Sequence, residues 1–147
     1  MLPRQNNWVD LLEKAISERA ETRFSWGMHD CSMAAVHCIN AMVGEDAAEF
    51  LRGYKTLRGA LSRIAKYKGI GGLAESVAQR HGWPEVKPMF AQRGDCVLIK
   101  GDIIDPETRV DEVLGIVDLS GLHIIVADEI GWREFPLTAG IRAWRVG

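Results

Sequence analysis

The chain has 147 residues, of which 47% are hydrophobic and 26% charged, and its formal net charge at pH 7 is −2. That length and composition predict one soluble globular domain spanning 1–147. Scattered Lys and Arg residues argue against a nucleic-acid groove, and no apolar run reaches the roughly 18 residues of a membrane span. Three cysteines without C-x-x-C spacing argue against a disulfide framework and a structural zinc site. The first residues lack the apolar core of a signal peptide, so we expect folding in a cytoplasm.

The first half of the chain has helical periodicity. Asn7 is the expected N-cap of an amphipathic helix that continues to about residue 21. The segment from Met33 to Val43 is apolar on nearly all sides and is followed by Gly44, which predicts a buried central helix. Three further helices are predicted, a short one over 46–51, one capped by Thr56 and ended by 69–72, and one over 73–81.

The second half changes to short apolar runs that are typical of strands. These runs are 96–99, 113–117, 122–127, 131–135 and 141–146. Helices first and an antiparallel meander second predict an α+β fold, with the central helix packed on one face of the sheet. Between the first two strands, residues 101–109 contain Asp105-Pro106 and form an expected loop. The carboxylates at 102, 105, 107, 111 and 112 lack the glycine and the spacing of a calcium loop, so we expect them to be solvated.

Five tryptophans are expected mostly in the core. One group of aromatic and basic residues fits a partner-binding patch, and it fits equally well a final hairpin that covers the core. It consists of Trp132, Arg133, Arg142, Trp144 and Arg145.

The stretch from Phe24 to Asp30 leads into the residue with the clearest chemical potential, Cys31. It predicts a short extended lead-in, a glycine corner and a helix that starts at Asp30, with Cys31 in the first turn. The helix dipole would favour a thiolate there, whereas the negative charge of Asp30, the expected N-cap, would oppose it. The alternative is a small buried apolar side chain, which is the expectation for Cys38 and Cys96.

These motifs resemble the NlpC-type cysteine peptidases, papain-like endopeptidases that cut cell-wall peptides. The resemblance implies a papain-like fold with Cys31 as nucleophile, and it places Val113 where the family has its histidine base. The matching elements are Trp26-Gly27, Asp30-Cys31 and Gly94-Asp95-Cys96-Val97, of which Trp26, Gly27 and Asp30 would support the nucleophile.

A closer resemblance, over roughly residues 8 to 147, is to small proteins of tailed phages and prophages that look like degenerate relatives of those peptidases. The shared features follow one another in a fixed order. They are Phe24-x-Trp-Gly-x-x-Asp-Cys31, Arg52-Gly53-Tyr54, Arg93-Gly-Asp95, Leu114-Gly-Ile116 and the ending Pro136-Leu…Arg142-Ala-Trp-Arg-Val146. This resemblance implies a gene among phage tail genes.

A cysteine nucleophile needs a base within hydrogen-bond reach. His37 lies about 9 Å along the helix from Cys31 at 1.5 Å per residue, and His81 is expected at a helix end. We expect His29 to be exposed or to cap the corner. His123, one strand beyond the expected base position, is the only substitute to consider, and a position on the sheet surface is the preferred interpretation.

The valine in place of the histidine favours a non-catalytic structural or assembly component of a phage tail tip or baseplate. Such a protein would be made in the host cytoplasm, reside in the virion and contact other tail proteins. The alternative is an active cell-wall endopeptidase or amidase that acts on peptidoglycan peptide, with Cys31 as nucleophile and His123 or His29 as base. Both hypotheses predict no metal, no organic cofactor, no nucleic-acid partner and no membrane span.

Overall fold

The computed structural model describes residues 2–101 and 111–147, and it confirms the predicted α+β order of helices followed by an antiparallel sheet. Four helices come first: α1 (Trp8–Glu18), α2 (Met33–Val43), α3 (Leu57–Lys66) and α4 (Ile70–His81). Six strands follow: β1 (Glu85–Val86), β2 (Cys96–Lys100), β3 (Glu112–Val117), β4 (His123–Ala127), β5 (Trp132–Pro136) and β6 (Arg142–Trp144). Their order in the sheet is β1-β6-β2-β3-β4-β5. Within the described ranges, no helix is long and apolar enough to cross a membrane.

The second helix, α2, is the centre of the fold, as predicted. Eight of its eleven residues are buried, and it packs against α1 on one side and against β3 and β4 on the other. It ends at Gly44, whose φ of 77° is a left-handed conformation that a glycine adopts without strain. The apolar run in the sequence therefore corresponds to a helix with almost no solvent-facing side.

Both faces of the sheet are buried along most of β2, β3 and β4. The strand register places Cys96, Leu114 and Trp144 on the face toward α2 and α4, where they line a small apolar space with residues of both helices. Val97 lies on the opposite face and is also fully buried, because short 3₁₀ turns cover it. A Cβ added at Gly140 beside those turns would lie 2.8 Å from a Val97 methyl. Burial on two faces explains why the strands are continuous apolar runs.

Three predicted helix boundaries are wrong. The short helix over 46–51 is a single 3₁₀ turn, Glu49–Leu51. The central helix begins at Met33, so Cys31 lies before its first turn. The fourth helix begins at Ile70 and contains two glycines that were expected to end the third helix. The predicted loop after β2 falls largely on residues 102–110, outside the described residues.

The predicted patch of tryptophans and arginines does not form, and neither does a final hairpin. Trp132 lies on β5 and Trp144 on β6, and these strands are separated by β2, β3 and β4. Four strand spacings of about 4.8 Å put them about 19 Å apart across the sheet. Trp144 is only 2% exposed, and Trp132 donates a hydrogen bond of 2.9 Å to the carbonyl oxygen of Ile16. The two tryptophans therefore pack against different parts of the core.

Gly72 occupies a position in the first turn of α4 where no side chain fits, since an added Cβ would lie 1.8 Å from the carbonyl oxygen of Tyr67. An alanine at an open helix site stabilises by roughly 0.5–1 kcal/mol. We expect Gly72→Ala to destabilise instead, by roughly 2 kcal/mol or more, because the backbone must shift. Urea unfolding measures this change.

The matched control is Gly59→Ala in α3, whose nearest contacts would be side-chain atoms at 3.1 and 3.3 Å. A Gly72→Ala protein as stable as the Gly59→Ala protein would contradict the close approach.

Candidate functional site

Residues 25–33 form a tight turn before α2, called the Asp30 corner below. The backbones of Ser25 and His29 exchange two hydrogen bonds, of 3.1 and 3.0 Å. Between them, Gly27 has a φ of 88°, and a Cβ added there would lie 2.1 Å from the carbonyl oxygen of Tyr54. Both the conformation and the close approach therefore require glycine at this position.

Asp30 is the centre of this corner and is fully buried. Its Oδ1 accepts hydrogen bonds from the backbone N–H groups of Ser32 (3.0 Å) and Met33 (2.8 Å), so the predicted bond to a donor near Met33 forms, although the N-cap position of α2 is Ser32 and not Asp30. Its Oδ2 accepts from the Gly27 N–H and the Tyr54 hydroxyl, both at 2.7 Å. Four donors in this geometry explain how a carboxylate is accommodated without solvent.

Cys31 follows Asp30 directly and is 5% exposed. Burial, with the charge of Asp30 as a second cause, raises the pKa of the Cys31 thiol well above its usual range. Asp30 also binds the N–H groups of the helix start, which would otherwise stabilise a thiolate. The thiol is therefore protonated at neutral pH. Burial likewise raises the pKa of Cys38 and Cys96 to about 12, in agreement with the core positions predicted for them.

The main contact of Cys31 is made by its backbone. Its carbonyl oxygen accepts a hydrogen bond of 2.7 Å from the N–H of Leu114 in β3. Because β3 pairs with β4 only at Ile116 and Val117, the Cys31 carbonyl takes the position that a β4 residue would otherwise occupy. Alternation along the strand turns Leu114 toward α2 and Val113 to the opposite face. Both positions are apolar, and neither supplies an imidazole.

His123 is remote from Cys31. Its backbone carbonyl accepts a hydrogen bond of 2.9 Å from the N–H of Asp118. Asp118 is four residues along the chain from Leu114, the residue that binds the Cys31 carbonyl. At about 3.3 Å per residue, this separates the two sites by about 13 Å. The imidazole Nδ1 lies 3.4 Å from Asp118 Oδ2 and 3.4 Å from Ser120 Oγ. The structure therefore does not bring the predicted base and nucleophile together.

His29 is fully buried, so the first of its two expected roles, an exposed side chain, is wrong. Its Nε2 lies 2.8 Å from the carbonyl oxygen of Gly131, and its ring meets Trp132 edge to face with centroids 5.2 Å apart. Burial lowers the pKa of His29, so the ring is neutral and Nε2 donates to that carbonyl. This arrangement ties the Asp30 corner to the turn between β4 and β5.

The other two histidines lie away from the thiol. His37 on α2 is half-buried with its Nε2 3.6 Å from Glu18, and His81 contacts the carbonyl oxygen of Ala47 at 2.8 Å. Across residues 2–101 and 111–147, no imidazole forms a hydrogen bond with the Cys31 sulfur. The polar groups around Cys31 stabilise the corner and do not form a nucleophile–base pair.

A second polar cluster joins the two ends of the chain and is called the terminal clasp. Asp95 is 1% exposed and accepts from Arg4 Nη2 at 2.8 Å, from the Gln92 N–H at 2.9 Å and from the Val146 N–H at 3.2 Å. Arg4 also donates to the carbonyl oxygens of Arg93 (2.9 Å) and Val146 (2.6 Å). The sequence motifs identified Asp95 but not Arg4, because a single arginine near a terminus belongs to no recognisable motif.

Comparison with curated proteins and with solved structures finds no match. A family model described as "Domain of unknown function (DUF6950)" matches residues 3–146. This range includes the Asp30 corner, the whole sheet and every residue of the terminal clasp. Because the match spans nearly the entire chain, the protein belongs to the DUF6950 family.

Proposed function

We propose that this protein is a non-catalytic structural or assembly component of a phage tail tip or baseplate, built on a scaffold related to NlpC-type cysteine peptidases. The observation that carries the non-catalytic part is the buried Cys31 thiol, with which no imidazole forms a hydrogen bond in the described part of the chain. The location in the virion and the tail-protein partners rest on the sequence features shared with phage and prophage proteins.

The chemistry supports this proposal. A positioned general base contributes roughly 10²–10⁴-fold to catalysis. Here the charge of the neighbouring Asp30 carboxylate opposes a thiolate, and the hydroxyls of Ser32 and Tyr54 are hydrogen-bonded to that carboxylate. These hydroxyls lie 3.2 Å from each other, and the Tyr54 hydroxyl donates to Asp30. The hydrogen bonds of the corner thus stabilise its fold and leave the thiol without a base, which supports a structural role.

Complementation in the phage that encodes the protein tests the proposal. A deletion phage is supplied with the wild-type protein, with Cys31→Ala or with the matched core variant Cys38→Ala. We expect Cys31→Ala to restore tail assembly and infectivity, because the Leu114 contact is made by the backbone carbonyl of residue 31. A folded Cys31→Ala protein that restores assembled tails without infectivity would favour the peptidase instead. Normal tails without the protein would overturn the assembly role.

Alkylation of the purified protein gives an independent prediction. At pH 8 we expect iodoacetamide to modify Cys31 at least about 100-fold more slowly in the native protein than in urea, as for Cys38 and Cys96, because all three thiols are buried and protonated. Peptide mass spectrometry resolves the three sites. Rapid native labelling confined to Cys31, with an apparent pKa below about 8.5, would contradict this expectation and favour an activated nucleophile.

A further inference from the structure

Three side chains, two from neighbouring strands and one from the turn between β3 and β4, converge at one place on the sheet. Asp118 directly follows β3, His123 begins β4 and Glu134 lies in the middle of β5. Glu134 pairs with Ile125, two residues from His123, so Glu134 and His123 project from the same face on adjacent strands. One potential ligand atom from each of the three side chains lies within 4.8 Å of the other two.

The carboxylate of Asp118 has two separate roles. Its Oδ1 accepts from the Ser120 hydroxyl at 2.5 Å and from the His123 N–H at 3.4 Å, and these bonds close the turn between β3 and β4. Its Oδ2 lies 3.4 Å from the imidazole Nδ1 of His123. Two ligands of a tetrahedral metal ion with bonds of about 2.1 Å are separated by about this distance. The turn engages Oδ1, and its Ser120 hydroxyl also lies 3.4 Å from Nδ1, while Oδ2 and Nδ1 face each other at metal-ligand spacing.

The negative charges of Asp118 and Glu134 also favour a bound cation. Two carboxylates approach each other here, and a bound cation would offset their mutual repulsion. The side chains of His123 and Asp118 are 42% and 18% exposed, so an ion can enter and can retain water as a further ligand. One imidazole nitrogen with two carboxylate oxygens suits zinc or manganese, whereas calcium and magnesium prefer oxygen ligands alone.

We propose that Asp118, His123 and Glu134 form a binding site for a divalent transition-metal ion, with zinc fitting the spacing best. The site is separate from Cys31, and it does not depend on the proposed tail function. Asp118 directly follows β3, His123 begins β4 and Glu134 lies on β5, so a bound ion would cross-link the ends of three neighbouring strands or their turns.

Zinc titration of the intact purified protein, followed by calorimetry and by thermal unfolding, tests the site. We expect one zinc per chain with micromolar affinity and a zinc-dependent rise in Tm. His123→Ala and Glu134→Gln should each weaken binding about tenfold or more, in the range seen when metal-site residues are lost. His37→Ala, which removes a half-buried histidine on α2, is the matched control and should leave the affinity unchanged.

Cobalt substitution supplies a second readout, because the visible absorption of Co²⁺ reports its coordination geometry independently of protein stability. We expect a tetrahedral spectrum that is lost in His123→Ala. Absence of saturable zinc binding below about 1 mM would overturn the proposal. Binding that persists unchanged in both His123→Ala and Glu134→Gln would also overturn it and would assign the ion to other groups, such as the cysteines.

Discussion

Replacing Asp30 with alanine is expected to lower the free energy of unfolding by about 4 kcal/mol or more. The carboxylate binds the backbone N–H groups of Gly27, Ser32 and Met33 and the hydroxyl of Tyr54. Each buried donor that loses its partner costs roughly 1–3 kcal/mol. Domains of this kind are stable by only about 5–15 kcal/mol, so Asp30→Ala should lose a large fraction of the stability of the protein. Urea denaturation followed by tryptophan fluorescence measures the loss.

Two further variants determine which part of the carboxylate matters. Asp30→Asn retains one oxygen for the N–H groups at the helix start, but its amide nitrogen faces the N–H of Gly27, so we expect a loss of about half that of Asp30→Ala. Asp10→Ala removes an exposed carboxylate in the first turn of α1 and should change stability by less than about 0.5 kcal/mol. Equal, small effects of Asp30→Ala and Asp10→Ala would show that the carboxylate does not stabilise the corner.

The helices and strands were predictable because their signals are local. The apolar run from Met33 to Val43 identified a buried helix, and Thr56, which accepts from the Gly59 N–H at 3.0 Å, capped α3 as expected. The start of α4 was missed because glycine ordinarily ends a helix. Gly72 is instead required by the close approach of the Tyr67 carbonyl, which is a tertiary contact.

The candidate site was only partly predictable. Asp30 was identified as a cap from its position before a helix, but its bond to Tyr54 joins residues 24 positions apart, and no local pattern encodes that pairing. The hydrogen bond from Leu114 to Cys31 spans an even longer segment of the chain. Three short motifs that seemed independent in the sequence, around Cys31, Tyr54 and Leu114, therefore meet at one corner.

The terminal clasp gives the second large effect. We expect Arg4→Met, which retains an apolar side chain beside Trp8, to lower stability by about 3–5 kcal/mol at pH 7, because Asp95 would remain buried without a positive partner. The matched control is Arg52→Met, which removes the arginine of an exposed ion pair with Asp46 and should cost about 0–1 kcal/mol. Chemical denaturation of the two variants compares these losses directly.

The loss caused by Arg4→Met should depend on pH. Burial raises the pKa of Asp95, and the charge of Arg4 opposes this rise, so removal of Arg4 raises the pKa further. A carboxyl whose pKa is higher in the folded than in the unfolded state binds a proton on folding, so the variant gains stability as the pH falls from 7 toward about 5. The difference from the wild-type protein should therefore shrink in acid.

A double variant, Arg4→Met with Asp95→Asn, isolates the cause of this pH dependence. Without the carboxyl the acid-dependent gain should disappear, and the combined loss at pH 7 should be smaller than the sum of the two single losses. A loss from Arg4→Met that is independent of pH and no larger than that from Arg52→Met would contradict the inference that Arg4 compensates the buried charge of Asp95. If these results are obtained, the role of Asp95 is structural: it binds Arg4 near one end of the chain and the Val146 N–H near the other.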